Sequence, residues 1–146
     1  MSETVTRVTL QDHTGERFVP LRRALGVTSF GINQLVLQPG QRMRIHHHER
    51  QEEAYLVISG RLTLVVEGED HDLVPGEIAR IAPDVRRQVV NRGPDVLSLV
   101  ALGGDVAVEH ASRDAEAFHD WDDHDPHPIT DVPLPDDLPD AERRTA

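Results

Sequence analysis

Gly40-Gln41-Arg42-Met43-Arg44-Ile45-His46-His47-His48-Glu49-Arg50-Gln51-Glu52-Glu53 decides how the rest of the chain is read. On a strand the side-chain period is two, so His46 and His48 project from one face and His47 from the other. Glu49–Gln51 reverses the chain, and Glu53 returns beside the two histidines on the neighbouring strand. Two imidazoles and one carboxylate on one side of a metal form a facial triad, which leaves coordination positions open for substrate or oxygen.

Outward from this stretch the sequence reads as strand after strand. Phe30–Leu37 ends at Pro39-Gly40, Ala54–Ile58 at Ser59-Gly60, and Leu62–Val66 at Glu67-Gly68-Glu69-Asp70. Ile78–Ile81 runs into Pro83-Asp84, Gln88–Val90 into Asn91-Arg92-Gly93-Pro94, and Val96–Leu102 into Gly103-Gly104. Short β-branched runs punctuated by Gly, Pro, Asn and Asp are what a sandwich or barrel of antiparallel hairpins requires. No interval is long enough for the crossover helices of a parallel sheet. The fold class expected is all-β. Two short helices flank it, at Leu21–Leu25 and at Asp114–Trp121, the second capped by Asp114 with Phe118 and Trp121 on one face.

At this point the chain resembles the cupins. Their first motif is Gly, five residues, His-x-His, three or four residues, Glu, six residues, Gly, and Gly40, His46, His48, Glu53 and Gly60 meet every spacing. Glu52 meets the shorter spacing from His48, but only Glu53 keeps the six-residue gap to Gly60. The second motif, Pro-x-Gly, two residues, His, then Asn, is met by Pro83 and Asn91. Val85 stands where Gly is usual and Gln88 where the third histidine is usual. The resemblance implies a jelly-roll β-barrel and a divalent metal ion (Fe, Mn, Zn or Ni) held by His46, His48 and Glu53. It offers Gln88 either as a fourth ligand through its amide oxygen or as a substrate contact. It also implies frequent dimers, and the segment Val5–Val19, read as edge strands needing cover, adds to the expectation of a homodimer.

Parity places Arg44 and Tyr55 in the metal cavity, and Arg86 as well if its strand is regular. These three are the candidate substrate-binding residues, with a guanidinium clamp for a carboxylate or phosphate as the role of the arginines. The plainer alternative is rim arginines paired with Glu49, Glu52 or Glu77. Glu52, next to Glu53, is expected to point away. His110, His119, His124 and His127 lie among aspartates at spacings that fit no helix or strand pattern, and are read as part of a solvated acidic segment.

The 146 residues suit one domain, divided as 1–29 packing on the barrel, 30–104 the barrel, 105–121 a short helical segment, and 122–146 an extended or disordered tail. The tail holds five prolines and seven aspartates; Leu134 and Leu138 are its docking candidates, and its removal is expected to cost little stability. The net charge of −11 is concentrated at that end, since residues 105–146 carry 13 acids and 3 arginines. Such a chain repels phosphate backbones, so no nucleic-acid partner is expected. No apolar run approaches a membrane span, and no basic-then-apolar leader opens the sequence, so no membrane partner and a cytoplasmic location are expected. There are no cysteines, which excludes thiolate ligands, and no lysines, which excludes Schiff-base chemistry. Two functions are carried forward. One is a metal-dependent enzyme on a small organic molecule, of oxygenase, lyase or isomerase type. The other is a non-catalytic module binding a small molecule or metal.

Overall fold

The computed structural model describes residues 4–11, 15–104 and 114–145. Two antiparallel sheets face each other. The first has five strands in the order β1-β2-β9-β4-β7: β1 (Phe18–Pro20), β2 (Gly31–Leu37), β4 (Glu52–Ser59), β7 (Ile78–Ile81) and β9 (Leu97–Gly104). The second has six in the order β11-β10-β3-β8-β5-β6: β3 (Ile45–His48), β5 (Leu62–Val66), β6 (Glu69–Leu73), β8 (Arg87–Val90), β10 (Ala115–Phe118) and β11 (His127–Pro128). This is the all-β jelly-roll barrel that the sequence predicts.

Between the sheets lies the core: Leu35, Leu37, Tyr55, Val57, Leu62, Leu64, Val89, Leu97 and Leu99, each at most 5% exposed. Alternate residues of each strand supply it, which fixes the register of every pair. Turn chemistry agrees with the pairing. Glu67 and Gly68 join β5 to β6 with φ of 48° and 84°, the two positive values a two-residue hairpin turn needs. At Gly60 (φ 78°) a Cβ would lie 2.4 Å from the Val96 carbonyl oxygen, so only glycine lets the β4–β5 turn sit against the start of β9.

The short helix α1 (Arg22–Leu25) forms where expected and ends at Gly26, left-handed at φ 78°. The second expected helix does not form. Ala115–Phe118 is strand β10, paired with β3 as Ala115↔His48, Glu116↔His47, Ala117↔His46 and Phe118↔Ile45. Tertiary pairing overrides the weak helical spacing, because β3 would otherwise present an unpaired edge. The barrel therefore extends past residue 104; residues 105–113 of the expected helical segment lie outside the described residues. Among the described residues of 5–19, the expected edge strands reduce to the start of β1. Residues 4–11 form no strand, and the Gln11 backbone N–H and C=O are taken instead by the Gln34 side chain at 2.9 and 2.7 Å.

Beyond β10 the chain crosses the outer face of the six-stranded sheet. Val132 and Leu138 are buried, whereas Leu134 is exposed. Leu138 packs with Val65, Val90 and Trp121 in a second, smaller apolar cluster. Its N–H donates to the Gly40 carbonyl at 2.8 Å, and the Arg144 guanidinium binds Asp72 at 3.0 Å. Among the described residues no helix is long and apolar enough to cross a membrane.

Candidate metal centre

β3 and β4 bring His46, His48 and Glu53 together as strand parity requires. Glu53 Oε1 lies 3.4 Å from His46 Nε2 and 3.3 Å from His48 Nε2, and one ligand atom from each residue falls within 4.8 Å of the others. The opposite nitrogens face acceptors. His46 Nδ1 lies 3.4 Å from the Arg44 carbonyl, and His48 Nδ1 lies 3.3 Å from the Asp114 carboxylate. The His48–Asp114 contact is short without aligned hydrogen-bond geometry, which leaves that buried nitrogen without a full partner. With Nδ1 protonated on both rings, the two Nε2 lone pairs and an ionised carboxylate oxygen point at one another. Three such donors in contact repel unless a cation sits among them, and two imidazoles with a carboxylate suit a borderline divalent metal.

Electrostatics favour an ionised Glu53 and a neutral His46. Burial, reinforced by Arg87 and the neighbouring His48, pulls the His46 pKa below its ordinary value despite Glu53. Burial alone would raise Glu53, but the two imidazoles against it hold its carboxyl well below the usual range. The Arg87 guanidinium, 2.8 Å from Oε1, acts in the same direction. Tyr55 donates its hydroxyl to Glu53 Oε1 at 2.7 Å. Burial and then the Glu53 charge push the Tyr55 pKa well up, so it remains a phenol.

Arg87 takes the place considered for Gln88. In β8, Arg87 pairs with His46 and points inward with Val89, whereas Gln88 and Val90 point outward. Gln88 donates its amide N–H to the Met43 carbonyl at 2.9 Å and lines a groove under the C-terminal segment. Its amide is thus directed to Met43, away from the face of β8 that Arg87 and Val89 share. Arg87 is wholly buried; besides Glu53, it donates to the carbonyls of Pro83 (2.9 Å) and Val85 (2.7 Å). Parity alone could not choose between neighbours here, because every residue of β8 is buried, one face by the core and the other by the C-terminal segment.

A cavity of about 420 Å³ opens above the cluster. Its apolar wall includes Phe18, Leu35, Met43, Val89 and Ile129, and its polar groups are Asn33, Arg44, Tyr55 and the three metal-ligand candidates. Arg44 and Tyr55 therefore line the cavity. Arg44 also donates to the Val132 carbonyl, so its guanidinium is partly engaged. Arg86 is not in the cavity. It precedes β8, forms an ion pair with Glu67 at 3.0 Å, and donates to the carbonyls of Trp121 and Asp123 at 3.2 and 2.9 Å. Glu52 is exposed and paired with Arg80 outside the barrel. Asp114, expected as a helix cap, accepts the N–H groups of Arg50 and Gln51 at 3.1 and 2.8 Å instead. It thereby fixes the reversing loop between the histidines and Glu53. Its capping chemistry was readable; the element that it caps was not.

Comparison with known proteins agrees with this fold. The cupin domain family matches residues 33–103. The chain carries a cupin domain. Among solved structures, this cupin is similar to a cupin protein from Bacteroides fragilis (22% identity, TM-score 0.63, covering 71% of this chain and 86% of that one). It is also similar to a sugar phosphate isomerase of the cupin superfamily from Silicibacter pomeroyi (26% identity, TM-score 0.59, 81% and 79%). Among curated proteins it is 29% identical over 100 residues to the polyketide synthase CurC of Streptomyces cyaneus, a match spanning 66% of this chain and 65% of that protein. The match thus spans less than two thirds of that relative's length.

Proposed function

We propose that this cupin is a metal-dependent enzyme acting on a small, largely apolar carbonyl compound. The observation that carries the reading is the convergence of two imidazole Nε2 atoms on Glu53 Oε1 at 3.3–3.4 Å, at the floor of an apolar cavity. His46, His48 and Glu53 would hold the ion, which when bound supplies a Lewis acid to polarise a substrate oxygen. Arg87 and Tyr55 keep Glu53 ionised and fixed, and Asp114 faces the Nδ1 of His48, the orienting partner that metal-binding histidines use. The apolar wall excludes water and orients a hydrocarbon or aromatic skeleton, while Arg44 and Asn33 offer donors to its oxygens. That lining suits a polyketide-type substrate, in keeping with the named curated relative, better than a sugar phosphate. Among the described residues Arg44 is the one guanidinium in the wall, and it is already bonded to Val132. The chemistry within reach is lyase, isomerase or oxygenase chemistry at a carbon next to a carbonyl.

One observation favours a second reading, a non-catalytic binding module. The Arg87 guanidinium already neutralises Glu53, which weakens the site's hold on a divalent ion. The test is metal content after reconstitution with Fe(II), Mn(II), Ni(II) or Zn(II), followed by turnover against a panel of diketones and aromatic ketones. Wild type should hold at least one equivalent more than His46→Ala/His48→Ala, and only the loaded wild type should turn over. Equal metal content removes the basis of the enzyme reading. A loaded protein that binds the ketones without converting them supports the module.

A further inference from the structure

Sequence spacing gives no pattern to the histidines beyond residue 110, yet the fold assembles two of them. β10 and β11 form a hairpin in which Ala117 pairs with His127. His119 lies two residues past Ala117, diagonally across from His127, and the two rings meet edge to face at 4.7 Å between centroids. Asp123, at the tip of the connecting loop, folds back toward them. Its Oδ2 lies 3.0 Å from His127 Nε2 and accepts the His119 backbone N–H at 3.0 Å. One ligand atom from each of His119, Asp123 and His127 lies within 4.8 Å of the other two.

The carboxylate is built in place. Asp123 Oδ1 accepts the Asp125 N–H at 3.1 Å, and Asp120 Oδ1 accepts the N–H groups of both Asp122 and Asp123 at 2.9 Å, so the loop is wound tightly before any ligand arrives. Arg86 reaches the loop's Asp123 carbonyl from the barrel, but its charge is matched by Glu67. The loop itself carries Asp120, Asp122, Asp123 and Asp125, a field that attracts cations.

The geometry points to a second divalent-metal site at His119, Asp123 and His127, of the imidazole-preferring class represented by Zn(II), Ni(II) and Cu(II). It is distinct from the barrel cluster and does not depend on it. A metal there staples the β10–β11 hairpin. Because β10 pairs with the strand that carries His46 and His48, the staple stiffens one wall of the barrel cavity.

The experiment is a Zn(II) titration of the full chain, free of any polyhistidine tag, by calorimetry with elemental analysis. His46→Ala/His48→Ala protein should keep one equivalent, and the further change His119→Ala/His127→Ala should remove it. Zn(II) should raise the melting temperature of the first variant and leave that of the second unmoved. Should the alanine pair unfold, His127→Gln with Asp123→Asn gives the same comparison on a side chain of similar shape. A His46→Ala/His48→Ala protein that binds no zinc overturns the proposal. Retention of the equivalent in the folded quadruple variant overturns it equally. Neither result bears on the barrel cluster, which is read from the difference between that variant and wild type.

Discussion

At the residue scale, the centre is governed by what surrounds Glu53 Oε1. One oxygen accepts from Tyr55 and twice from Arg87, while two imidazoles crowd it. Removing a buried guanidinium leaves its carboxylate buried and uncompensated, which costs about 3–5 kcal/mol. Arg87→Met should therefore lower metal-free stability by about that much in denaturant melts. Added Zn(II) should restore more stability to Arg87→Met than it adds to wild type, because the ion replaces the lost positive charge. An equal zinc effect in both proteins would show that metal and Arg87 do not share Glu53. The ligand trio itself was legible from parity and spacing. Arg87 was not: choosing it over Gln88 needs the inner face of a strand that is covered on both sides, and that covering comes from residues fifty positions later in the chain.

At the element scale, the reversing loop Glu49–Gln51 determines whether β3 and β4 present their ligands together. Asp114 holds it through two main-chain N–H groups while lying 3.3 Å from His48. Asp114→Ala should cost about 1–3 kcal/mol from orphaned donors, measured as a drop in the unfolding midpoint. It should also weaken metal binding, measured by competition with a chelator, whereas Asp114→Asn should recover most of the stability. Stability and metal affinity that both stay at wild-type values in Asp114→Ala would dismiss the role. Most strands were readable because β-branched runs and turn residues alternate along the chain. β10 was not, since a four-residue run after Asp114, with Phe118 and Trp121 at helical spacing, reads equally as a capped helix, and only the open edge of β3 resolves it.

For the whole molecule, the C-terminal segment is a second layer on the six-stranded sheet. Composition predicts a dispensable tail, yet Val132 and Leu138 are buried and Arg144 binds Asp72. Chains ending at residue 121 should melt lower by on the order of 5 °C, from the loss of two buried apolar side chains net of ordering entropy. An unchanged melting temperature would restore the compositional reading. Acid should release the segment first. Burial would raise Glu67 and Asp72, but Arg86 and Arg144 respectively outweigh it and hold both carboxyls below their ordinary values. Depressed pKa values contribute stability that is complete above the unfolded-state values of about 4 and is lost as pH falls through the folded ones. The Arg144–Asp72 clip and the Arg86–Glu67 pair that positions Arg86 against the segment are both solvent-screened and worth under about 1 kcal/mol each, so the effect is local. Fluorescence of Trp121, the single tryptophan, should shift to the red below about pH 4, ahead of the loss of far-ultraviolet β-sheet signal. Coincident transitions would show that the segment and barrel melt as one.

Three consecutive residues, Arg86, Arg87 and Gln88, face three different tasks: clasping the C-terminal segment, neutralising Glu53, and bonding the Met43 carbonyl. Strand geometry makes their assignment a matter of reading frame. Loss of one residue from the turn between Pro83 and Arg87 would carry an amide into the cage and a cation out of it. A single codon deletion is thus the shortest evolutionary step from a cage closed by charge to one closed by a fourth oxygen donor.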